Sequence, residues 1–179
     1  RKVKIGFFMA RITLIRHGKA EMPRIGENDF DRGLVQRGIQ NARVVGQFMQ
    51  AHKMLPDLVL VSSARRTQQT YELMSASWTH LPRVAYDYKL YEVSADMLLR
   101  LIFEHGHDEE SVAVIGHNPS LVVLLTHFVG LVGGEINLGY FPTCCVADIG
   151  FDAIKIGDID PEEGRLLSLV RVRDLTPLE

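Results

Sequence analysis

Three polar clusters, each holding a histidine or an arginine, directly follow short apolar runs of the sequence. In chain order they are Arg16-His17-Gly18, Ser62-Ser63-Ala64-Arg65-Arg66 and Gly116-His117-Asn118. An imidazole is substantially neutral near pH 7 and can then attack phosphorus, while a guanidinium group pairs with phosphate oxygens through two parallel hydrogen bonds. If these residue types meet in space, they indicate a site that binds or transfers a phosphoryl group.

The apolar runs before the clusters, residues 12–15, 58–61 and 112–115, predict three buried strands because they are short and rich in Val, Ile and Leu. In open parallel α/β sheets, ligands bind beyond the carboxyl ends of the strands. If the three strands are parallel neighbours, the histidines and arginines meet at one edge. The helices predicted after Ser63 and Asn118 would direct their N-terminal N–H groups to the same place.

Helical periodicity separates these strands. Apolar residues recur at helical spacing over residues 34–49, where Gly38 and Gly46 weaken the predicted helix without ending it. Further helices are predicted through Tyr71 and Met74, over residues 95–105 and over residues 121–128, with Pro119 in the first turn of the last, and extended segments over residues 84–90, 145–149 and 166–172. Strands that alternate with helices predict a three-layer α/β/α sandwich around a mostly parallel central sheet.

The bulk properties predict one cytoplasmic domain. The chain has 179 residues, 46% of them hydrophobic, and a formal net charge of -2, which gives no reason to expect a nucleic-acid partner. No segment is long and apolar enough to predict a membrane span. Because the first methionine is Met9, residues 1–8 are predicted to be an extension from cloning or gene prediction, and residues 9–179 a single domain. The adjacent Cys144 and Cys145 argue against a disulfide framework and favour a reducing compartment.

No metal or other cofactor is predicted. His105 and His107 lie two residues apart in the acidic segment 104–110, a spacing that suits no helical ligand face and is more typical of a solvated loop. The aspartates from Asp148 to Asp160 are too scattered for a calcium loop, and we expect them to be exposed.

Taken in order, the motifs resemble those of the histidine phosphatase superfamily, also called the phosphoglycerate mutase-like superfamily. Residues 14–18 resemble its strand and Arg-His-Gly triplet, residues 62–70 its second motif, and residues 115–119 the motif of its second histidine. Residues 31–38 and 90–94 are similar to the small SixA-type phosphohistidine phosphatases in particular. One departure is Gly33, which stands where we would expect proline. The resemblance covers residues 11–131 and implies the same α/β/α fold.

The resemblance implies a role for each site residue. His17 would attack phosphorus and form a transient phosphohistidine, without a metal. The substrate-binding residues would be Arg16, Arg66, His117, Gly18 and Asn118. In the second motif the phosphate-binding arginine stands four positions after the serine. Counting from Ser62, this arginine is Arg66 rather than Arg65. Because consecutive helical residues lie about 100° apart around the axis, only one of the two arginines can readily reach the phosphate.

Glu92 has two interpretations between which the sequence does not decide. It occupies a place where larger superfamily members carry a catalytic glutamate, so it could protonate the leaving group. It could equally be a solvent-facing residue at the end of a strand. A small phosphohistidine phosphatase depends less on such an acid, because the P–N bond is labile.

The spacing of the motifs predicts an open pocket. Two helices and two strands fill the stretch between Arg66 and His117, which leaves no room for the cap domain of larger superfamily members. An open pocket suits a phosphorylated side chain on a partner protein, and the resemblance favours phosphohistidine. Three alternatives stay open: a phosphatase that acts broadly on small phosphoesters, a phosphomutase or phosphate carrier that uses the same His17, and a module that binds phosphate without turnover.

Overall fold

The computed structural model describes residues 10–130 and 141–175 of the chain. Within them the strands are β1 (Ala10–Arg16), β2 (Leu58–Ser62), β3 (Arg83–Asp87), β4 (Ser111–Gly116), β5 (Val146–Phe151) and β6 (Arg165–Val170), and the α-helices are α1 (Gln36–Ala51), α2 (Arg65–Ser75), α3 (Ala95–Gly106) and α4 (Ser120–Val129). The predicted extension over residues 1–8, with its start at Met9, lies outside the described residues. None of the described helices is long and apolar enough to cross a membrane.

The six strands form one sheet in the order β3-β2-β4-β1-β5-β6. β1 lies at its centre, parallel to β4 and antiparallel to β5, while β2 is parallel to both β3 and β4. β6 is antiparallel to β5, so β5 alone runs against the other five strands. The predicted, mostly parallel sheet is therefore confirmed, and the two late β-rich segments complete it on one side.

Helices cover both faces of this sheet, which confirms the predicted three-layer sandwich. On one face, Leu101 of α3 and Leu121 of α4 belong to the same core as Leu14 of β1. On the other face, Val45 of α1 packs in a second core with Ile15, the next residue of the same strand. Because β1 is buried on both faces, its residues form a continuous apolar run rather than an alternating one.

The glycines of α1 allow close contacts that a side chain would prevent. A Cβ atom at Gly46 would lie 2.2 Å from the carbonyl oxygen of Met74 in α2, and one at Gly38 would lie 2.3 Å from the carbonyl oxygen of Lys19. The helix therefore accepts two residues of low helical propensity because they bring α2 and the loop after β1 close to it.

Several predicted boundaries differ from the structure, among them the end of β6, which lies at Val170 rather than at residue 172. Residues 84–90 were expected to be extended, but β3 ends at Asp87, whose carboxylate accepts a hydrogen bond from the Lys89 N–H at 2.9 Å. A short 3₁₀ turn over Tyr88–Leu90 follows. Pro119 directly precedes α4 instead of lying in its first turn. Between α2 and β4 the described chain forms only β3, this turn and α3, so it holds no cap domain.

Asp148 is not the exposed loop residue that the sequence suggested. It lies within β5, is 2% exposed, and pairs with Arg11 on the neighbouring β1. Its Oδ1 atom also accepts a hydrogen bond from the Thr13 hydroxyl at 3.2 Å. A buried carboxylate is tolerated where a charged partner and hydrogen bonds compensate for its lost hydration, and both are present here.

Candidate active site

The polar clusters meet at the carboxyl edge of the sheet, in an open cavity of about 630 Å³. Of the predicted site residues, those that line it are Arg16, His17, Arg66, Glu92, His117 and Asn118. β1 and β4 are parallel and in register from Arg11 to Arg16, so the residues that follow them leave the sheet side by side. The rings of His17 and His117 lie 5.1 Å apart between their centroids.

His17 is held with one ring nitrogen available to the cavity. Its Nδ1 atom lies 2.7 Å from the carbonyl oxygen of Gly18, which can only accept, so Nδ1 carries the proton and Nε2 keeps its lone pair. Burial lowers the pKa of His17 from 6.5 to about 4, and the nearby guanidinium groups of Arg66 and Arg16 act in the same direction. The ring is therefore neutral at physiological pH, as a nucleophile must be.

His117 lies opposite, with a partner at each nitrogen. Its Nε2 atom is 2.9 Å from the hydroxyl of Ser62, and its Nδ1 atom is 3.5 Å from a terminal nitrogen of Arg66. Burial lowers the pKa of His117 to about 3, and the neighbouring His17 adds to this. Because a guanidinium nitrogen can only donate, Nδ1 accepts from Arg66 in this structure and the Nε2 proton is donated to the Ser62 hydroxyl. In the other neutral tautomer, Nδ1 gives up the contact with Arg66 and can donate to an anion, while the Ser62 hydroxyl donates to Nε2.

These pKa values predict how the protein responds to acid. We expect NMR titration of the ring protons to place both histidines well below 6.5, with His17 near 4. As the pH falls from 6.5 towards 4, an unfolded chain takes up protons at these rings that the folded chain does not, so the free energy of unfolding should decrease. Replacing both histidines by glutamine should make the free energy of unfolding less dependent on pH in this range. A titration midpoint near 6.5 for His17 would contradict the burial of its ring.

The structure separates the two neighbouring arginines at the start of α2. Arg66 is 5% exposed and points into the cavity, whereas Arg65 is exposed. The terminal nitrogens of Arg66 donate to the backbone oxygen and to a carboxylate oxygen of Asp29, at 2.7 and 3.0 Å. Its buried Nε atom has no hydrogen-bond partner among the described residues. The position of Arg66 is therefore the one that the register predicted.

Arg16 and Asn118 converge on one backbone carbonyl beside the cavity. Arg16 donates to the oxygen of Phe141 at 3.0 Å, and the side-chain amide of Asn118 donates to the same oxygen at 3.1 Å. The Oδ1 atom of Asn118 is buried and unpartnered within the described part of the chain. Asn118 thus lines the cavity, while its side-chain amide forms a hydrogen bond with the backbone of the segment before β5.

Gly18, which the resemblance placed among the substrate-binding residues, does not line the cavity. Its N–H donates to the Thr70 hydroxyl at 2.9 Å and so does not point to a ligand. A Cβ atom here would lie 3.1 Å from both the Gly38 carbonyl oxygen and the Leu34 side chain. The structure explains the small residue by close packing beneath His17.

Glu92 lies at the rim of the cavity in a left-handed backbone conformation, with a φ of 53°. Such a conformation is uncommon for residues other than glycine, and it clusters at functional sites. The side chain is exposed. The position is thus compatible with both interpretations that the sequence left open.

Three residues of this site were not identified from the sequence: Asp29, Arg32 and Tyr91. Asp29 lies in a 3₁₀ turn, Asp29–Asp31, in the loop after β1, and contacts both of the others. Arg32 and Tyr91 line the cavity. Asp29 and Tyr91 are 62 residues apart, so no local spacing could reveal their contact. Arg32 lies only three residues after Asp29, a spacing that by itself indicates no site. A weak indication was the adjacency of Tyr91 to Glu92.

The described residues offer no cluster of three or more His, Cys, Asp or Glu side chains that could hold a metal ion. The positive charge in the cavity comes instead from side chains, namely Arg16, Lys19, Arg32 and Arg66. Among the described residues that line the same wall, the anionic ones are Glu21 and Glu92. This charge balance, in a chain of formal net charge -2, indicates an anionic ligand.

The chain belongs to the histidine phosphatase superfamily, branch 1, whose family profile matches residues 12–101. Over an alignment of 138 residues it is 28% identical to an uncharacterised protein of Mycobacterium tuberculosis. The alignment covers 74% of this chain and 84% of that protein.

Among solved structures, the chain is similar to a protein of Agrobacterium tumefaciens that is provisionally assigned as the phosphohistidine phosphatase SixA. The two share 28% identity and a TM-score of 0.77, over 92% of this chain and 99% of that one. The fold is also that of the protein histidine phosphatase SixA in complex with tungstate, with a TM-score of 0.76 at 18% identity, over 93% and 99% of the two chains.

Proposed function

We propose that this protein is a phosphatase that removes the phosphoryl group from a phosphohistidine on a partner protein, through a covalent intermediate on His17 and without a metal. The observation that carries the proposal is the arrangement of His17. Its neutral ring presents Nε2 to an open, positively charged cavity, opposite His117 and beside the buried Arg66.

In the first step, His17 Nε2 attacks phosphorus and the bond from phosphorus to the substrate nitrogen breaks. The departing imidazole keeps the electron pair of that bond and takes up a proton from the solvent, to which the cavity is open. Arg16, Arg66 and the donor N–H of His117 bind the equatorial oxygens, where negative charge must be stabilised in the transition state. Because the guanidinium groups supply this charge, the step needs no metal.

In the second step, a water molecule attacks the phosphorus of the phosphorylated His17. The P–N bond to His17 breaks, inorganic phosphate leaves, and the ring returns to its neutral form with Nε2 free. The proton lost by the water passes to the phosphate or to the solvent. The same arginines and His117 serve both steps, because the phosphoryl group occupies the same position in each.

The openness of the cavity supports a protein substrate. No cap domain is present in the described chain, and a phosphorylated side chain on a large partner can therefore approach the rim directly. Similarity to the Agrobacterium tumefaciens protein, at 28% identity, favours phosphohistidine as the phosphorylated group.

The substrate class can be tested by comparing a phosphohistidine-bearing protein with a panel of small phosphoesters, in the presence of EDTA. We expect release of inorganic phosphate from the protein substrate at the higher kcat/KM, undiminished by the chelator. Full loss in EDTA with recovery on adding a divalent ion would contradict the metal-free mechanism. Transfer to an acceptor without phosphate release would favour a phosphomutase, and binding without either would leave only a phosphate-binding module.

Glu92 favours a second candidate, a phosphatase of broad specificity for small phosphoesters, because it places a carboxyl group at the cavity rim. An alkoxide must be protonated as it leaves, whereas an imidazole departs more readily.

If Glu92 is the leaving-group acid, Glu92→Gln should slow phosphoester hydrolysis about 10²-fold or more and phosphohistidine hydrolysis much less. Steady-state kinetics on one substrate of each type measure the two effects. Asp96→Asn is the matched control, since Asp96 is an exposed acidic residue in the first turn of α3 that does not line the cavity. Equal effects on both substrates, or none on either, would show that Glu92 is a surface residue without a role in proton transfer.

A further inference from the structure

Asp29 is a charged residue that the proposed mechanism does not use, and all three of its oxygen atoms bind groups at the cavity. Its backbone oxygen accepts from Arg66 at 2.7 Å. Its Oδ2 atom accepts from a second nitrogen of Arg66 at 3.0 Å and from the Tyr91 hydroxyl at 2.7 Å. Its Oδ1 atom accepts from the Nε atom of Arg32 at 2.8 Å. One residue thus joins two cavity arginines and a cavity tyrosine.

These contacts restrict the guanidinium group of Arg66 in position and in plane. Two of its nitrogens are bound to the same residue, and its central carbon lies 5.7 Å from the centre of the Tyr91 ring. A free arginine side chain has many rotamers, and this conformational freedom must be lost before the group can bind a phosphoryl oxygen in a fixed geometry. With Asp29 in place, this freedom is lost when the protein folds rather than at the transition state.

We infer that Asp29 is a positioning residue for the phosphoryl site, which holds Arg66 in the orientation that the transition state requires. The inference rests on the proposed phosphatase function and adds to it a residue that does not touch the substrate. It gives the loop after β1, which carries Asp29, an indirect part in the reaction, through Arg66.

The charge of Asp29 distinguishes this role from that of a binding residue. A carboxylate near an anion site opposes ground-state binding of phosphate, although the effect is small because the Asp29 side chain is 42% exposed and screened by solvent. What Asp29 contributes is geometry, which matters most in the transition state. Its removal should therefore lower kcat without weakening the binding of inorganic phosphate.

The test compares Asp29→Asn with Asp31→Asn, which makes the same change of charge in the same 3₁₀ turn at an exposed position. For Asp29→Asn we expect kcat to fall about 10- to 100-fold, which is less than the roughly 10²- to 10³-fold for loss of a preorganised donor, because Arg66 itself remains. The Kd for inorganic phosphate, measured by calorimetry, should stay within about threefold or become tighter. Affinity for vanadate, which mimics the transferring phosphoryl group, should fall with kcat. Asp31→Asn should change none of these.

A double-mutant cycle shows whether Asp29 acts through Arg66. In an Arg66→Lys background, Asp29→Asn should have less than about threefold further effect on kcat, because the fork that it orients is already gone. A loss of kcat below threefold in Asp29→Asn, or equal losses in kcat and phosphate affinity, would overturn the inference. Tyr91→Phe removes one hydrogen bond to Asp29 and should lower kcat and the affinity for vanadate by a smaller factor. If Asp29→Asn does not fold, Tyr91→Phe is the variant that tests the inference.

Failure of the proposed function would be recognised separately. A parent protein that binds phosphate but hydrolyses no phosphorylated substrate would refute the phosphatase. The ratio of vanadate to phosphate affinity would still report on Asp29, because it needs no turnover. An unchanged ratio in Asp29→Asn would then overturn the positioning role as well.

Discussion

His17→Ala should reduce turnover by on the order of 10³-fold or more, the largest effect expected of any single substitution in this chain. The variant lacks the nitrogen that attacks phosphorus, and no other side chain lies in its place: His117 faces the site from 5.1 Å away with both its nitrogens engaged. Rapid alkaline quenching with labelled substrate should trap a phosphorylated adduct in the parent protein only, and that adduct should be stable in base and lost in acid.

The control for this experiment is His80→Ala, which removes an exposed imidazole outside the cavity and should leave turnover unchanged. His17→Ala should remain folded, because His17 follows β1 and is only partly buried. A variant that is folded by circular dichroism and retains more than a few per cent of parental activity would show that His17 is not the nucleophile.

Arg66→Lys should cost about 2–4 kcal/mol of transition-state stabilisation, or roughly 30- to 1,000-fold in kcat/KM. A lysine ammonium keeps the charge but cannot reproduce the planar fork of a guanidinium. The substitution would also leave the oxygen atoms of Asp29 with fewer hydrogen-bond donors, since two terminal nitrogens of Arg66 donate to them. The measurement is kcat/KM on one small phosphorylated substrate, so that docking of a protein partner does not contribute.

Arg65→Ala, at the residue directly before Arg66, is the matched control for Arg66→Lys. Because Arg65 is exposed at the start of α2, its loss should change the rate on a small substrate several-fold at most. With a protein substrate the effect could be larger, since a charge at the rim can steer docking. If Arg65→Ala lost more activity than Arg66→Lys on the small substrate, the assignment of the two arginines would be wrong by one residue.

Much of the fold could be predicted because β1, β2 and β4 are buried on both faces. That burial requires continuous apolar runs, and such runs are visible in the sequence as short blocks of Val, Ile and Leu. The direction of β5 could not be predicted, since alternation and apolar content are the same for a strand that runs either way. The direction is seen only in the folded chain, where β5 pairs antiparallel with β1 on one side and with β6 on the other.

The candidate site could be predicted as far as it depends on strand ends. His17, Arg66 and His117 lie within a few residues of a buried strand, so their position follows from the sheet. Asp29 and Arg32 belong to a long loop that has no periodicity. The place of Asp29 depends on its hydrogen bonds with Arg66 of α2 and with Tyr91, and the place of Arg32 depends on its hydrogen bonds with Asp29. Only the folded chain reveals these contacts.

The central position of β1 has a consequence for how the protein folds during translation. Arg16 pairs with Gly116, about 100 residues later, and Ile15 pairs with Val146, about 130 residues later. At ordinary translation rates, about 5–20 seconds pass before the ribosome has made β4. Until then the nascent chain carries β1 with both of its edges unpaired, and such distant pairings make for slow folding. Phosphate therefore cannot guide the early stages, because the site that would bind it forms only after β4 and the two residues that follow it, His117 and Asn118, have been made.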